Sequence, residues 1–182
     1  MTMEIKEEKL QEELHKANIP LVIDSYDDIF SDFDPRPFSE RALSDDFLLE
    51  CKKAALDKGE GVELILSMPA NLRNINNELK IKKRLKEHFK KHHIKKESEL
   101  KKIKQDGFTW VIMGIVILIG VIFGSLNIPN TLLQNIIVIF EIPSWFLVWE
   151  GMSKILIESR KLEPDGVFYH KMASAQITFI SI

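Results

Sequence analysis

The chain has 182 residues, the length of one ordinary domain or of a small domain with membrane segments. Its 25 Lys and Arg against 27 Asp and Glu give a formal net charge of −2, but the charge is distributed unevenly. Residues 1–50 contain 14 acidic and 5 basic side chains, residues 78–104 contain 12 basic and 4 acidic ones, and residues 107–149 contain a single charged side chain. With one cysteine and no low-complexity run, this composition excludes a disordered chain, a collagen-like chain and a disulfide framework.

The first part of the chain predicts a small α/β cytoplasmic head with about three strands and one packed helix. Residues 4–17 are typical of a short polar helix, and the apolar run 19–23 is typical of a strand. Residues 45–57 predict the packed helix, and residues 61–67 alternate as a second strand. The tail 175–182 has strand composition, so we expect it to return to the head and complete the sheet.

Residues 74–106 predict a long basic connecting helix that runs without a breaker into the apolar region. Because this helix lies directly before the apolar region, anionic lipid head groups are its expected partner. No aromatic or fold motif of a nucleic-acid-binding protein accompanies the basic run, so nucleic acid is not expected as a partner.

Two apolar segments, residues 108–126 and 131–149, follow the basic helix and are joined by a short uncharged turn. A helix needs about 20 apolar residues to cross the hydrocarbon core of a bilayer. The two segments therefore predict a transmembrane hairpin with the lipid bilayer as its partner. A pair of buried core helices is the less favoured alternative, because the first segment has no polar stripe.

The flanking charges and aromatic residues predict the orientation of the hairpin. Lysine and arginine flank the outer ends of both spans and are absent from the turn, so the positive-inside rule places both termini in the cytoplasm and the hairpin in the cell membrane. Trp110, Trp145 and Trp149 are expected as anchors at the cytoplasmic interface. Residues 1–17 are too charged for a cleavable signal peptide.

The chain is thus expected to consist of the head, the connecting helix, the hairpin and a C-terminal segment that completes the head. The expected bounds of these four parts are 1–73, 74–106, 107–150 and 151–182. Within the last part, we expect the helix to end near Leu162, because Pro164 and Gly166 disfavour its continuation.

Glu141 is the single charged side chain of the apolar region and the first candidate for a functional site. It lies about two turns before Trp149, which places it near the bilayer midplane, where a carboxylate is costly and should face another helix or water. Gln134 and Asn135 add polar groups to the same span, and Pro143 is expected to kink the helix. The site is either an ion or proton site formed by several hairpins, or a neutral group that only holds an oligomer together.

Small residues in the first span predict close packing between helices. Gly120 and Gly124 form a GxxxG pair, and Gly114 lies nearby. The pattern indicates packing within the hairpin or between copies of the chain, and it does not distinguish the two.

The loop over residues 24–38 combines five aspartates with three phenylalanines. The aspartates indicate either turn chemistry, including an ion pair of Asp34 with Arg36, or a hard-cation site, and their spacing favours the first. The phenylalanines are expected either to form a small satellite core or to present a contact surface for a protein partner. The candidate contact residues are Phe30, Phe33, Phe38, Asp32 and Asp34.

Two further features, one in the connecting helix and one in the head, are expected to carry no chemistry. His88, His92 and His93 are expected on a solvated face of the basic helix rather than in a metal site, because no second ligand pair accompanies them. Cys51 is expected on the buried face of its helix, and neither GxxxxGK nor GxGxxG occurs. The sequence therefore predicts no enzyme activity, no metal and no cofactor.

The run SYDDIFSDFDPRPFSERALSDDFL, followed by a basic stretch, two apolar spans and WEGMSKI, resembles an uncharacterised group of small prokaryotic two-span membrane proteins. The resemblance implies a cytoplasmic N-terminal domain and a membrane hairpin, and it implies no activity. Two functions remain open. One is a homo-oligomeric assembly in which Glu141 lines an ion or proton path gated by the head, and the other is a membrane-anchored adapter whose head binds a cytoplasmic protein.

Overall fold

A computed structural model describes residues 18–182 apart from Asp57, Glu60 and Asn130, so the helix predicted over 4–17 lies outside the described residues. The described chain is a mixed helix and sheet protein. Its strands are β1 (Asn18–Val22), β2 (Glu63–Met68) and β3 (Gln176–Ser181). Its α-helices are α1 (Asp45–Ala55), α2 (Ile75–Asn127), α3 (Thr131–Ile139), α4 (Glu141–Ser153) and α5 (Ser159–Ser174), with a π-helical turn Lys154–Glu158 between α4 and α5.

The chain divides into two compact units. The first, called the head below, comprises the residues up to Ile94 together with Val167–Ile182, and the second, called the helical unit, comprises Lys95–Gly166. This division differs from the expected start of a separate connecting helix at residue 74. The reason is that the first turns of α2 supply fully buried side chains to the core of the head, namely Ile81, Leu85 and Phe89.

The sheet of the head has the order β1-β2-β3, and both neighbouring pairs are parallel. In the register, Ile19 lies opposite Leu64, and Leu64 lies opposite Ile177. The return of the C-terminal segment as a strand of the head is therefore confirmed. Parallel neighbours need a long crossover. The β1–β2 crossover contains α1, and the β2–β3 crossover contains both apolar helical segments.

Three helices, rather than the expected one, supply buried side chains to the core of the head. Alternate residues of each strand, such as Leu64 and Leu66 of β2, are buried in this core. The contributions of the helices are Phe47, Cys51 and Ala55 from α1, Ile81, Leu85 and Phe89 from α2, and Phe168 and Met172 from α5. The expectation of one packed helix did not include α2. The apolar residues of α2 are spaced by four residues and form one continuous stripe, which packs in the core.

The helical unit contains the apolar segments. Helix α2 is 53 residues long and continues without interruption from the basic region into the first apolar segment, as expected. By length and composition, α2 and the helical stretch Leu132–Ser174 each qualify as a membrane span. Only 11% and 6% of their most apolar windows are buried, whereas a core helix of a soluble protein is mostly buried. The two helices therefore indicate a membrane location.

Helix α5 continues through Pro164 and Gly166, so the expected end near Leu162 is wrong. An interior proline removes one helix hydrogen bond and costs about 3 kcal/mol. The following turns carry Phe168 and Met172, which are buried in the core of the head. Their burial offsets the cost, since each such side chain contributes roughly 1.5–3 kcal/mol.

Candidate functional site

The two arms of the hairpin meet along small residues that bring their backbones into direct contact. A Cβ atom on Gly151 would lie 2.5 Å from the carbonyl oxygen of Gly107, and one on Gly114 would lie 2.7 Å from the carbonyl oxygen of Ser144. Any side chain larger than the hydrogen atom of glycine would clash with the backbone of the opposite arm at Gly114 and at Gly151. A single hairpin is therefore closed along these contacts, and they leave no path for an ion between its arms.

The same contacts set the level of the tryptophans in the hairpin. They place the stretch 107–114 level with the stretch 144–151. Trp110, Trp145 and Trp149 all belong to these stretches, so they lie within about two helical turns of one another along the arms, near the charged ends. Trp145 and Trp149 are exposed and Trp110 is half-buried. This arrangement is typical of an aromatic belt at a membrane interface.

Glu141 is the first residue of α4 and lies one turn beyond Ser144, on the side away from the charged ends. Because Ser144 contacts Gly114, Glu141 lies level with the middle of the apolar segment 108–126. Its side chain is exposed. Among the described residues, no hydrogen-bond or ion-pair partner of Glu141 occurs. Within one copy of the chain, the expected neighbouring helix or polar partner is therefore missing.

The second arm is interrupted at Phe140, between α3 and α4. The Phe140 amide donates a hydrogen bond to Ile137 O (3.0 Å), and the buried Ser144 hydroxyl donates one to Phe140 O (2.6 Å). Pro143 lies in the first turn of α4, where its missing N–H costs least. The distortion expected at Pro143 thus takes the form of a break three residues earlier, and Glu141 begins the new helix.

The other polar residues of this span do not join Glu141. The Gln134 side-chain amide donates hydrogen bonds to Ser125 O (3.0 Å) and to Ile128 O (2.8 Å), so Gln134 holds the turn of the hairpin. Asn135 is exposed beside it. Seven residues of helix, about 10 Å, separate Gln134 from Glu141. Gln134 therefore has a structural role, and Glu141 stands alone at mid-span.

The glycines of the GxxxG pair differ in their surroundings. A Cβ atom on Gly124 would lie 3.2 Å from Ile137 Cδ1, whereas one on Gly120 would meet no atom within 4 Å. Gly120 therefore takes no part in packing within the hairpin. The sequence analysis missed the tight contact of Gly107 with Gly151. The available signal was a shared spacing, since Gly107 and Gly114 are seven residues apart, as are Ser144 and Gly151.

The aromatic residues of the loop are divided between the core and the surface. Phe30 is 2% exposed, and Phe38 stacks on it with ring centroids 5.3 Å apart. Phe30 belongs to the main core of the head and Phe38 packs against it, so these two form neither a separate satellite core nor a contact surface. Phe33 is 97% exposed. Of the three, Phe33 alone is available as a contact residue.

The aspartates of the loop stabilise its turns. Asp34 forms the expected ion pair with Arg36 (2.7 Å) and accepts a hydrogen bond from the backbone amide of Ala42 (2.7 Å). The hydrogen bond from the Arg36 guanidinium lowers the pKa of the Asp34 carboxyl. Asp32 is exposed. Over the part of the chain that the structure describes, no three His, Cys, Asp or Glu side chains form a group that could hold a metal ion.

The histidines of α2 are not on a solvated face, so that expectation is wrong. The ring of His88 stacks on His92 (centroids 4.2 Å apart), and His92 in turn stacks on Tyr169 of α5 (5.1 Å). His93 Nε2 lies 3.5 Å from His170 Nδ1. Burial is the main cause that lowers the pKa of His88 to about 4. These side chains form part of the contact between α2 and α5 within the head.

Cys51 of α1 is fully buried, as expected. Burial raises the pKa of its thiol to about 12, so the thiol is protonated at neutral pH. Since the thiolate is the nucleophilic form, Cys51 is inert in the folded head.

Comparison with known proteins does not assign the chain to a family. No protein-family model, curated protein or solved structure matches it. The resemblance to small two-span membrane proteins stays a prediction, and the functional conclusions below rest on the geometry of the hairpin and the head.

Proposed function

We propose that the protein is an integral membrane protein that assembles from several copies of its chain, with Glu141 side chains of neighbouring copies forming an ion or proton path. The observation that carries this proposal is the position of Glu141, exposed and level with the middle of the apolar segment. A carboxylate in that position costs about 2.5–3.5 kcal/mol if it faces lipid. Contact with polar groups or water between copies removes this cost.

The closed contact between the arms supports the same conclusion. Because Gly107, Gly114 and Gly151 bring the backbones together, no ion passes within one hairpin. A path that includes Glu141 therefore lies between hairpins. The break at Phe140 supports it further, because it places the carboxylate at the start of α4, where the helix dipole stabilises a negative charge.

The proposed orientation places both termini in the cytoplasm and the hairpin in the cell membrane. It is supported by the basic charge that precedes the first span and follows the second, and by the three tryptophans near the charged ends of the arms. The head is the proposed gate. Helix α2 supports this role, because it begins in the core of the head and continues as the first span.

The test is the mass of the protein–detergent complex, measured by light scattering with subtraction of the detergent, for wild type and Glu141→Gln. A defined assembly of several copies is expected for wild type, together with ion or proton flux in liposomes that Glu141→Gln reduces. Glu150→Gln is the matched control, since Glu150 lies on the same helix beside Lys154 (3.6 Å) at the charged end. A monomer or dimer in every variant would exclude the path.

A second function, a membrane-anchored adapter, is favoured by the exposure of Phe33. Aromatic residues, phenylalanine among them, are enriched at protein interfaces relative to the rest of the surface. In this case the chain is a monomer or dimer, and Glu141→Gln does not change the mass of the protein in detergent. Phe33→Ser abolishes binding of a cytoplasmic partner. The mass measurement distinguishes the two proposals before any partner is identified.

A further inference from the structure

An open groove of about 630 Å³ lies in the helical unit, between α2 and the π-helical turn, where the basic part of α2 meets its apolar part. Its walls are Leu100, Lys101, Lys104, Gln105, Phe108 and Ile155, with Glu97 at its edge. Lys101 and Lys104 are three residues apart on a helix, so they project on one face. Phe108 begins the uncharged segment 108–126.

The two lysines of the groove differ from three other lysines of the same unit. Lys95, Lys96 and Lys154 each lie within 4 Å of a carboxylate oxygen, at distances from 3.3 to 3.9 Å. Neither Lys101 nor Lys104 has an ion pair or hydrogen bond with any residue that the structure describes. With the Glu97 carboxylate also in its lining, the groove carries a net positive charge at its basic end.

The opposite end of the groove is apolar. Phe108 is 61% exposed and lies with Ile155 at the start of the uncharged segment. Ile155 belongs to the π-helical turn, and its carbonyl accepts a hydrogen bond from the buried Ser159 hydroxyl. Such turns are rare and occur frequently at functional sites. The groove thus joins a cationic end to an apolar end along about two helical turns.

We infer that this groove binds one anionic phospholipid, with the phosphate held by Lys101 and Lys104 and the start of an acyl chain lying along Phe108 and Ile155. The inference rests on the membrane location in the proposed function and does not depend on the number of copies or on Glu141. Charge complementarity selects an anionic head group over a zwitterionic one. The apolar end favours a lipid over free phosphate, because phosphate has no apolar group that could contact Phe108.

The proposed test measures lipid retention by native mass spectrometry of the full-length protein in detergent. Phosphatidylglycerol, phosphatidylcholine with the same acyl chains, and inorganic phosphate are added in separate titrations. We expect one phosphatidylglycerol to be retained per chain and phosphatidylcholine to be retained about tenfold more weakly, since the phosphatidylcholine head group has no net charge for the two lysines to attract. The same spectra report the number of copies, so loss of the lipid and loss of the assembly are seen separately.

The variant Lys101→Gln/Lys104→Gln is compared with Lys91→Gln/Lys102→Gln, which removes the same charge from exposed positions of α2 that do not line the groove. We expect the groove variant to weaken phosphatidylglycerol retention about tenfold or more and the control variant to weaken it less than about threefold. Phe108→Ala keeps both lysines, and it is expected to weaken retention as well. Circular dichroism confirms that each variant is folded.

Three results would overturn the inference. Equal retention of the two lipids would show that the groove does not select charge, and equal loss in the two double variants would show a diffuse basic surface. Competition by inorganic phosphate together with an unchanged Phe108→Ala variant would show a phosphate site without a lipid.

Discussion

Glu78 is the one charged side chain that is buried among the residues the structure describes. Its carboxylate accepts hydrogen bonds from Arg73 Nε (2.8 Å) and Nη2 (3.1 Å), and from the Tyr26 hydroxyl (3.3 Å). The Arg73 guanidinium in turn donates to the Ser181 hydroxyl (2.9 Å) at the end of β3. The hydrogen bonds from Arg73 lower the pKa of Glu78, so the contribution of this group to stability is lost as the pH falls through the acidic range.

Replacement of Glu78 is expected to destabilise the head. Glu78→Ala removes the carboxylate that Arg73 and Tyr26 share, while Arg73 keeps its hydrogen bond to Ser181 and the Tyr26 hydroxyl keeps those to Asn74, so we expect a cost of about 1–3 kcal/mol of the free energy of unfolding. Urea unfolding followed by labelling of Cys51 measures this cost, because the thiol reacts only when the head opens. Glu87→Ala, an exposed position on α2 that faces Lys83 at 3.9 Å, is the control and should cost less than about 1 kcal/mol. Equal costs would show that the buried pair contributes nothing.

His88 makes the head sensitive to acid. Its ring is partly buried against His92, its Nε2 atom has no hydrogen-bond partner among the described residues, and the positive charges of His92, Arg84 and Lys91 add to the effect of burial on its pKa. The pKa is about 6.5 in an unfolded chain and about 4 in the head. The unfolded chain therefore binds the proton more tightly, and stability falls as the pH falls from about 6.5 to about 4.

The variant His88→Phe is expected to reduce this loss of stability between pH 6.5 and pH 4, because the group that takes up the proton is gone. The measurement is the urea midpoint of unfolding at several pH values, followed by circular dichroism. His170→Gln, which removes an exposed histidine, should retain the loss. A wild-type midpoint that does not change over this range would contradict the prediction.

At the scale of single residues, the sequence predicts contacts between near neighbours and misses those that depend on tertiary burial. The ion pair of Asp34 with Arg36 is local and was predicted. Glu78 lies in a strongly charged run, so the sequence indicates a solvent-exposed side chain. Its burial depends on Tyr26, which is far away in the chain. The histidines of α2 were misplaced for the same reason, since Tyr169 and His170 approach them only when α5 returns to the head.

At the scale of the elements, the glycine contacts make a direct prediction about the hairpin. Gly151→Ala places a methyl group 2.5 Å from Gly107 O, so the arms must separate, at a cost of about 1–3 kcal/mol. Gly120→Ala meets no atom within 4 Å and should change the stability of the isolated hairpin by less than about 0.5 kcal/mol. Thermal unfolding in detergent, followed by the fluorescence of the three tryptophans, compares the two. Equal shifts would contradict the contact between the arms.

The helices and strands themselves were largely predictable. Three local patterns each coincide with an element of the structure. They are the four-residue spacing of apolar residues in α2, the apolar composition of both spans and the alternation of apolar residues in β2. The break at Phe140 has no such pattern, because Pro143 marks a distortion without fixing where the helix is interrupted. The continuation of α5 through Pro164 was missed because the burial of Phe168 and Met172 is a tertiary effect.

At the scale of the whole molecule, the head depends on a strand from the far end of the chain. Phe179 of β3 is 5% exposed and packs edge-on against Tyr26, with ring centroids 5.8 Å apart. Phe179→Ala is expected to destabilise the head by about 3–5 kcal/mol, and labelling of Cys51 in urea measures the loss. Ile182→Ala, at a position 67% exposed, is the control and should have little effect. If Cys51 were labelled at the same urea concentration in both variants, β3 would not be part of the folded head.

The return of the tail was predicted from its composition, but its place in the sheet was not. Ile177 and Phe179 need a buried environment, which indicates a strand without fixing its partner. The parallel pairing with β2 depends on the direction in which the chain re-enters the head, and no local sequence pattern encodes that direction. Glu141 is conspicuous in the sequence because of its charge, whereas its level along the apolar segment follows from the glycine contacts, which no local pattern predicts.

The position of β3 at the end of the chain has a consequence for biosynthesis. About 110 residues separate β2 from β3, so a ribosome needs roughly 5–20 s after completing β2 before β3 is made. In the proposed membrane arrangement, β2 lacks its neighbour β3 during this time, while both apolar arms enter the bilayer. In the same arrangement, a chain with only one inserted arm would have its tail and the rest of its head on opposite sides of the membrane, and the sheet would lack β3. Completion of the sheet would therefore depend on insertion of both arms.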